Sequence, residues 1–134
     1  MIHKTIYVND WRCDFYFSKG AYWLDEIVGR LRECKAPRPI MERAQRSMDD
    51  NFPNTGFTYS NLKLRRSIVV IGRTSSGAEF ISSFCHELWH LVADIASANG
   101  THLNGETVAY LAGDIAHNLS PSICSLSCNH CRRH

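Results

Sequence analysis

The segment from Ser76 to Gly100 constrains the fold of this chain more than any other. Ser76-Gly77-Ala78-Glu79 has the form of a capping box, in which the serine hydroxyl accepts from the helix start and the glutamate reaches back. Asn99-Gly100 carries a stop signal, so one long helix is expected from Ser76 to about Ala98. Phe84, Leu88, Leu91 and Ile95 recur on it at helical spacing and form an apolar stripe that must face a core. Just before it stands Ile68-Val69-Val70-Ile71-Gly72, an unbroken β-branched run that reads as a strand covered on both faces.

The remaining elements follow from periodicity and turn chemistry. Residues 2–8 alternate as a strand, Asn9-Asp10 turns the chain, and Phe15-Tyr16-Phe17 reads as the returning strand. Between Ala21 and Cys34, Leu24, Ile27, Val28 and Leu31 mark an amphipathic helix. Pro37-Arg38-Pro39 breaks it, and Pro39 suits the first turn of another helix, on which Met41, Ala44 and Met48 share a face. Asn51 to Gly56 is a loop, and residues 57–72 carry the strongest strand signal. Asn104-Gly105-Glu106 opens a last helix, which should end near Leu119 ahead of Ser120-Pro121. Strands, helices, strands and then two helices define an α+β domain over residues 1–120, followed by a Cys/His-rich tail over 121–134.

Composition excludes several classes. A chain of 134 residues with 44% hydrophobic and 21% charged residues is one globular domain that can bury a core without disulfides. A net charge of +2 gives no reason to expect nucleic acid, and the basic clusters Lys63-Leu64-Arg65-Arg66 and Arg132-Arg133 are short enough to be solvated surface. The opening residues do not read as a signal peptide, and no run reaches the roughly eighteen apolar residues of a membrane span. The expectation is a cytoplasmic protein without a membrane partner. There, the scattered Cys13, Cys34 and Cys85 should be small buried residues.

The chemistry concentrates in His86-Glu87-Leu88-Trp89-His90. Residues four apart on a helix share a face, so the two imidazoles can bind one metal ion. Glu87 stands roughly 100° round the helix, where it can take a proton from an attacking water and hand it to a leaving amine. His86, His90, Ala93 and Ser97 form a second stripe that is small apart from its histidines, a face that a neighbouring helix can approach. The competing reading is two ordinary histidines on a partly buried helix.

A catalytic zinc takes three protein ligands and keeps one open position. Glu106 is the preferred third ligand, because Ala109 and Gly113 on its side of the last helix could pack against Ala93 and Ser97. An acid in a first helical turn is also common without a metal. His102 is the rival, and Asp94 is placed to orient His90. Tyr110 is a candidate oxyanion donor or a packing residue. Val108, Leu111, Ala112, Ile115 and Leu119 would then face the core.

With a glutamate on the following helix, this motif resembles the glutamate-type zincins. Glu106-Thr107-Val108-Ala109-Tyr110-Leu111-Ala112 is similar to the third-ligand helix of the ImmA/IrrE family, small intracellular metallopeptidases of mobile elements and stress responses. The short chain also resembles metallopeptidase-like proteins of phages and prophages. The resemblance spans residues 68–119 and implies a minimal zincin-like domain, with a small N-terminal sheet ahead of the two active-site helices. It implies His86, His90 and Glu106 as zinc ligands and Glu87 as general base. The strand around Ile68–Ile71 would be the edge strand that aligns an extended substrate. Val108 stands where the ImmA/IrrE pattern has a second acid, and no helix-turn-helix or sensor domain is present in the sequence.

In the tail, Cys124, Cys128, Cys131 and His134 could close a second, structural zinc site, with His130 competing for the histidine position. The alternative is a frayed end carrying reactive thiols. The expected function is a zinc metallopeptidase acting on a protein or peptide substrate. Two alternatives accompany it: a phage-type regulator that cleaves or grips one partner, and a non-catalytic zinc-stabilised binding module. Oligomeric state is left open.

Overall fold

A computed structural model describes residues 2–19, 24–47 and 56–128 of the chain. Strand β1 (Ile2–Val8) pairs antiparallel with β2 (Trp11–Lys19), and Asn9, with φ 56°, makes the tight turn between them. The chain then passes through helices α1 (Leu24–Glu33) and α2 (Arg38–Ser47) to β3 (Gly56–Asn61). Strand β4 (Arg66–Gly72) returns antiparallel to β3 and inserts parallel to β2, giving the order β1-β2-β4-β3. A parallel pair needs a long crossover, and α1, α2 and β3 supply it. Three helices follow: α3 (Gly77–Asn99), α4 (Glu106–Asn118) and α5 (Ser120–Ser127). The result is a small α+β domain with a mixed sheet.

The burial of β4 explains its composition. Ile68 and Val70 join Tyr16, Ile27, Leu31 and Ala44 under α1 and α2, whereas Val69 and Ile71 join Phe17, Phe84 and Leu91 under α3. Successive side chains alternate between faces, so a strand covered on both must be apolar throughout. The α3 stripe also behaves as its spacing requires, with Phe84, Leu91 and Ile95 buried and Leu88 packed against them. The Ser76 side chain accepts from Glu79 N at 3.1 Å, and the helix ends at Gly100.

Two stretches add detail to the sequence expectation. Residues 57–72 form a hairpin of β3 and β4, turning over Leu62 to Arg65. Asn61 causes the turn: its Oδ1 accepts from Lys63 N and Leu64 N at 3.1 and 3.0 Å, holding the backbone in a side-chain-capped conformation. The chain also does not leave regular structure at Ser120. Pro121 sits in the first turn of α5, where its missing N–H costs nothing. Helix α5 docks so closely on the start of α3 that a Cβ on Gly77 would lie 1.9 Å from the Ser127 carbonyl oxygen. The cysteines divide as well. Cys13 and Cys34 are buried, but Cys85 is exposed because it falls outside the α3 core stripe.

One acid is buried within the sheet. Asp14 accepts hydrogen bonds from Thr5 Oγ1 at 2.6 Å, His3 Nε2 at 3.1 Å and Arg12 Nε at 3.1 Å, with the Arg66 guanidinium 4.0 Å away. Among the described residues, no helix is long and apolar enough to cross a membrane.

Candidate metal centre

Helix α3 runs 23 residues, and its middle carries the candidate centre. Phe84 and Leu91 point into the core, which turns the His86 and His90 face outward, while Glu87 lies at the boundary and is buried. The ligating atoms of His86, Glu87 and His90 lie within 4.8 Å of one another, and this is the group of that kind among the described residues. The two histidine Nε2 atoms are 3.2 Å apart, with the rings edge to face. At that separation either nitrogen can donate to the other, according to tautomer.

The same separation fits a metal. An ion at the usual Zn–N length of roughly 2.0–2.1 Å from both nitrogens would see them roughly 100–106° apart, near the tetrahedral angle. Two imidazoles with a carboxylate alongside are also a donor set that zinc accepts.

Strand β3 forms the other wall of the centre. Thr58 lies opposite Val69 in the β3–β4 ladder, so its side chain faces α3. Its Oγ1 donates to Glu87 Oε1 at 2.9 Å and lies 3.2 Å from the Glu87 carbonyl oxygen. Gly56, two residues earlier on the same face, borders the other carboxylate oxygen, and a Cβ there would lie 3.5 Å from Oε2. Sequence reading missed both residues. Gly56 passes for a loop glycine, and a threonine in a strand carries no signal until the register is known.

The other expected site residues fall elsewhere. Glu106 is exposed in the first turn of α4 and is not in the group formed by His86, Glu87 and His90. His90 precedes the end of α3 by nine residues, or ~13 Å of helix rise, and Glu106 comes only after that end. His102 is exposed in the intervening loop, and Tyr110 is 69% exposed on α4. Ala109 and Gly113 are exposed rather than packed on Ala93 and Ser97, whereas Val108, Ile115 and Leu119 are buried as their spacing predicts. The hydrogen-bond partner of His90 is His86 and not Asp94. Cys124 lies exposed on α5 and Cys128 exposed at its end, while His130, Cys131 and His134 lie outside the described residues.

The strand expected to be the sheet edge, around Ile68–Ile71, is interior, flanked by β2 and β3. The edge strand beside α3 is β3. No family model, curated protein or solved structure matches the chain.

Proposed function

We propose that this chain is a zinc-dependent hydrolase of peptide bonds. The observation that carries the reading is the 3.2 Å separation of the His86 and His90 Nε2 atoms, with the buried Glu87 carboxylate in the same group. A closed structural zinc site takes four protein ligands. A pair of exposed imidazoles beside one buried carboxylate instead leaves coordination positions open to water and substrate.

His86 and His90 would hold the ion. When bound, zinc supplies Lewis acidity, which lowers the pKa of a water to roughly 7 and polarises the scissile carbonyl. Glu87 would take a proton from the attacking water as the water oxygen bonds to the carbonyl carbon. It then delivers the proton to the departing amine nitrogen as the C–N bond breaks. Among the described residues β3 pairs only with β4, so its second edge can receive an extended peptide as an added strand, which favours a peptide over a compact substrate. The proposed setting is the cytoplasm, where the exposed Cys85 and Cys124 thiols stay reduced.

The test compares zinc-loaded wild type with Glu87→Gln on denatured casein and on a peptide library, reading cleavage by mass spectrometry. Wild type is expected to cleave, and the variant to keep its zinc and lose cleavage. Retained cleavage in the variant would remove Glu87 from the mechanism, and an inert zinc-loaded wild type would contradict the peptidase reading.

A further inference from the structure

We infer that Thr58 is a positioning residue for Glu87, and that with Gly56 it fixes which carboxylate oxygen does the proton transfer. This rests on the hydrolase reading above. The two residues stand at alternate positions of β3, opposite Val69 and Ile71, so both present the same face to α3. One of them holds an oxygen and the other leaves space beside the second.

The Thr58 hydroxyl has a single proton and two acceptors within reach, Glu87 Oε1 at 2.9 Å and the Glu87 carbonyl at 3.2 Å. The charged acceptor is the closer and the stronger, so the proton lies toward Oε1. Threonine is stiff about χ1, so its hydroxyl is presented in a fixed direction. A glutamate carboxylate otherwise turns broadly about its last torsion, and its two oxygens would exchange places. The hydrogen bond prevents that exchange.

Oε2 is the oxygen left to work. It borders Gly56, where no side chain intrudes and where none can be added easily. A Cβ at Gly56 would lie 2.7 Å from the Val70 carbonyl oxygen, a backbone atom, and 3.5 Å from Oε2. The Val70 carbonyl leaves room only for glycine there, so no side chain stands beside Oε2. In the reaction, a water O–H proton moves to Oε2 and the water oxygen bonds to the carbonyl carbon. The proton then passes from Oε2 to the amine nitrogen as the C–N bond breaks. The Thr58 proton stays on Thr58 throughout.

The experiment uses the zinc-loaded full chain and a peptide that wild type cleaves, comparing Thr58→Val, Thr58→Ser and Glu87→Gln. Thr58→Val keeps the shape and removes the hydroxyl. It is expected to lower kcat by about ten- to hundredfold, the worth of one hydrogen bond to a charged group, with KM and zinc per chain unchanged. Thr58→Ser restores the hydroxyl and is expected to restore most of kcat. Full activity in Thr58→Val, with Glu87→Gln inactive, would overturn the inference. Equal losses in the valine and serine variants would overturn it too, since they would mark a packing role.

The Thr58 hydroxyl proton gives a readout that does not depend on turnover. A slowly exchanging resonance in wild type that is lost in Glu87→Ala is expected. Its absence from an active wild-type chain would overturn the inference, whereas its presence in a chain that cleaves no peptide would overturn the hydrolase reading and leave only a structural bond.

Discussion

Asp14→Asn removes a buried charge while keeping the size of the side chain, and its consequences can be worked out from the contacts. The carboxylate is 1% exposed and accepts from Thr5, His3 and Arg12 at 2.6–3.1 Å. Burial alone would raise its pKa, but the hydrogen bonds from Thr5 and His3 and the charge of Arg12 outweigh it and hold the group below the ordinary carboxylate value. In the variant an amide nitrogen faces one of these donors, and Arg12 loses its counter-charge while Arg66 keeps Glu33 at 3.2 Å. Breaking a fully buried pair costs about 3–5 kcal/mol. Here Arg12 is 29% and Arg66 21% exposed, and water recovers part of that, so a loss of about 2–3 kcal/mol is expected.

In a chain of this size that loss lowers Tm by roughly 10 °C. Urea unfolding at pH 7, followed by far-UV circular dichroism, should show a lower midpoint with an unchanged slope. The pH dependence has a definite sign. A folded-state pKa below the unfolded value of about 3.9 contributes stability that is complete above that value and is lost as pH falls through the folded one. The gap between wild type and variant should therefore close below about pH 4. A loss at pH 7 under about 0.5 kcal/mol, or a gap independent of pH, would refute the reasoning.

Gly77→Ala should destabilise the chain by about 1–3 kcal/mol although alanine is the better helix former, because its Cβ would meet the Ser127 carbonyl. Hydrogen exchange should speed up at Ile123 and Leu126 of α5, and a stabilised variant would show that the close approach is not real. Because the group within 4.8 Å contains His86, Glu87 and His90 and not Glu106, Glu106→Gln should leave zinc stoichiometry unchanged by mass spectrometry. Loss of the ion would instead establish Glu106 as the third ligand. Zinc at about 100 times its dissociation constant should stabilise the chain by about 2.7 kcal/mol, read as a rise in Tm that His90→Ala abolishes.

Much of the fold is legible because burial and periodicity say the same thing. Ile68 to Ile71 reads as a two-faced strand and is one, and Ser76 and Gly100 bracket α3 where local chemistry places them. What could not be read depends on partners distant in sequence. The turn at Leu62 to Arg65 hides inside a strand-like composition, and only Asn61 betrays it, through a side chain that captures two backbone amides. Ser120-Pro121 looks like an ending, yet a proline serves equally well in a first helical turn, and contact with Gly77 decides between the two.

The candidate site divides in the same way. The His86–Glu87–His90 spacing is local and forms the group it suggests. The small-residue helix contact invoked to bring Glu106 to the metal does not form, because α4 uses its Val108–Ile115–Leu119 stripe instead. Thr58 was invisible because its role depends on β3, not β4, being the edge strand beside α3.

Zinc per chain, measured by mass spectrometry on purified wild type and on His86→Ala, bears on the proposal without requiring a known substrate. One equivalent that vanishes in the variant is expected, and a second equivalent surviving there would assign the cysteine-bearing C-terminus its own ion. A folded wild-type chain that takes up no zinc even when the metal is supplied would return His86 and His90 to ordinary surface histidines and end the hydrolase reading.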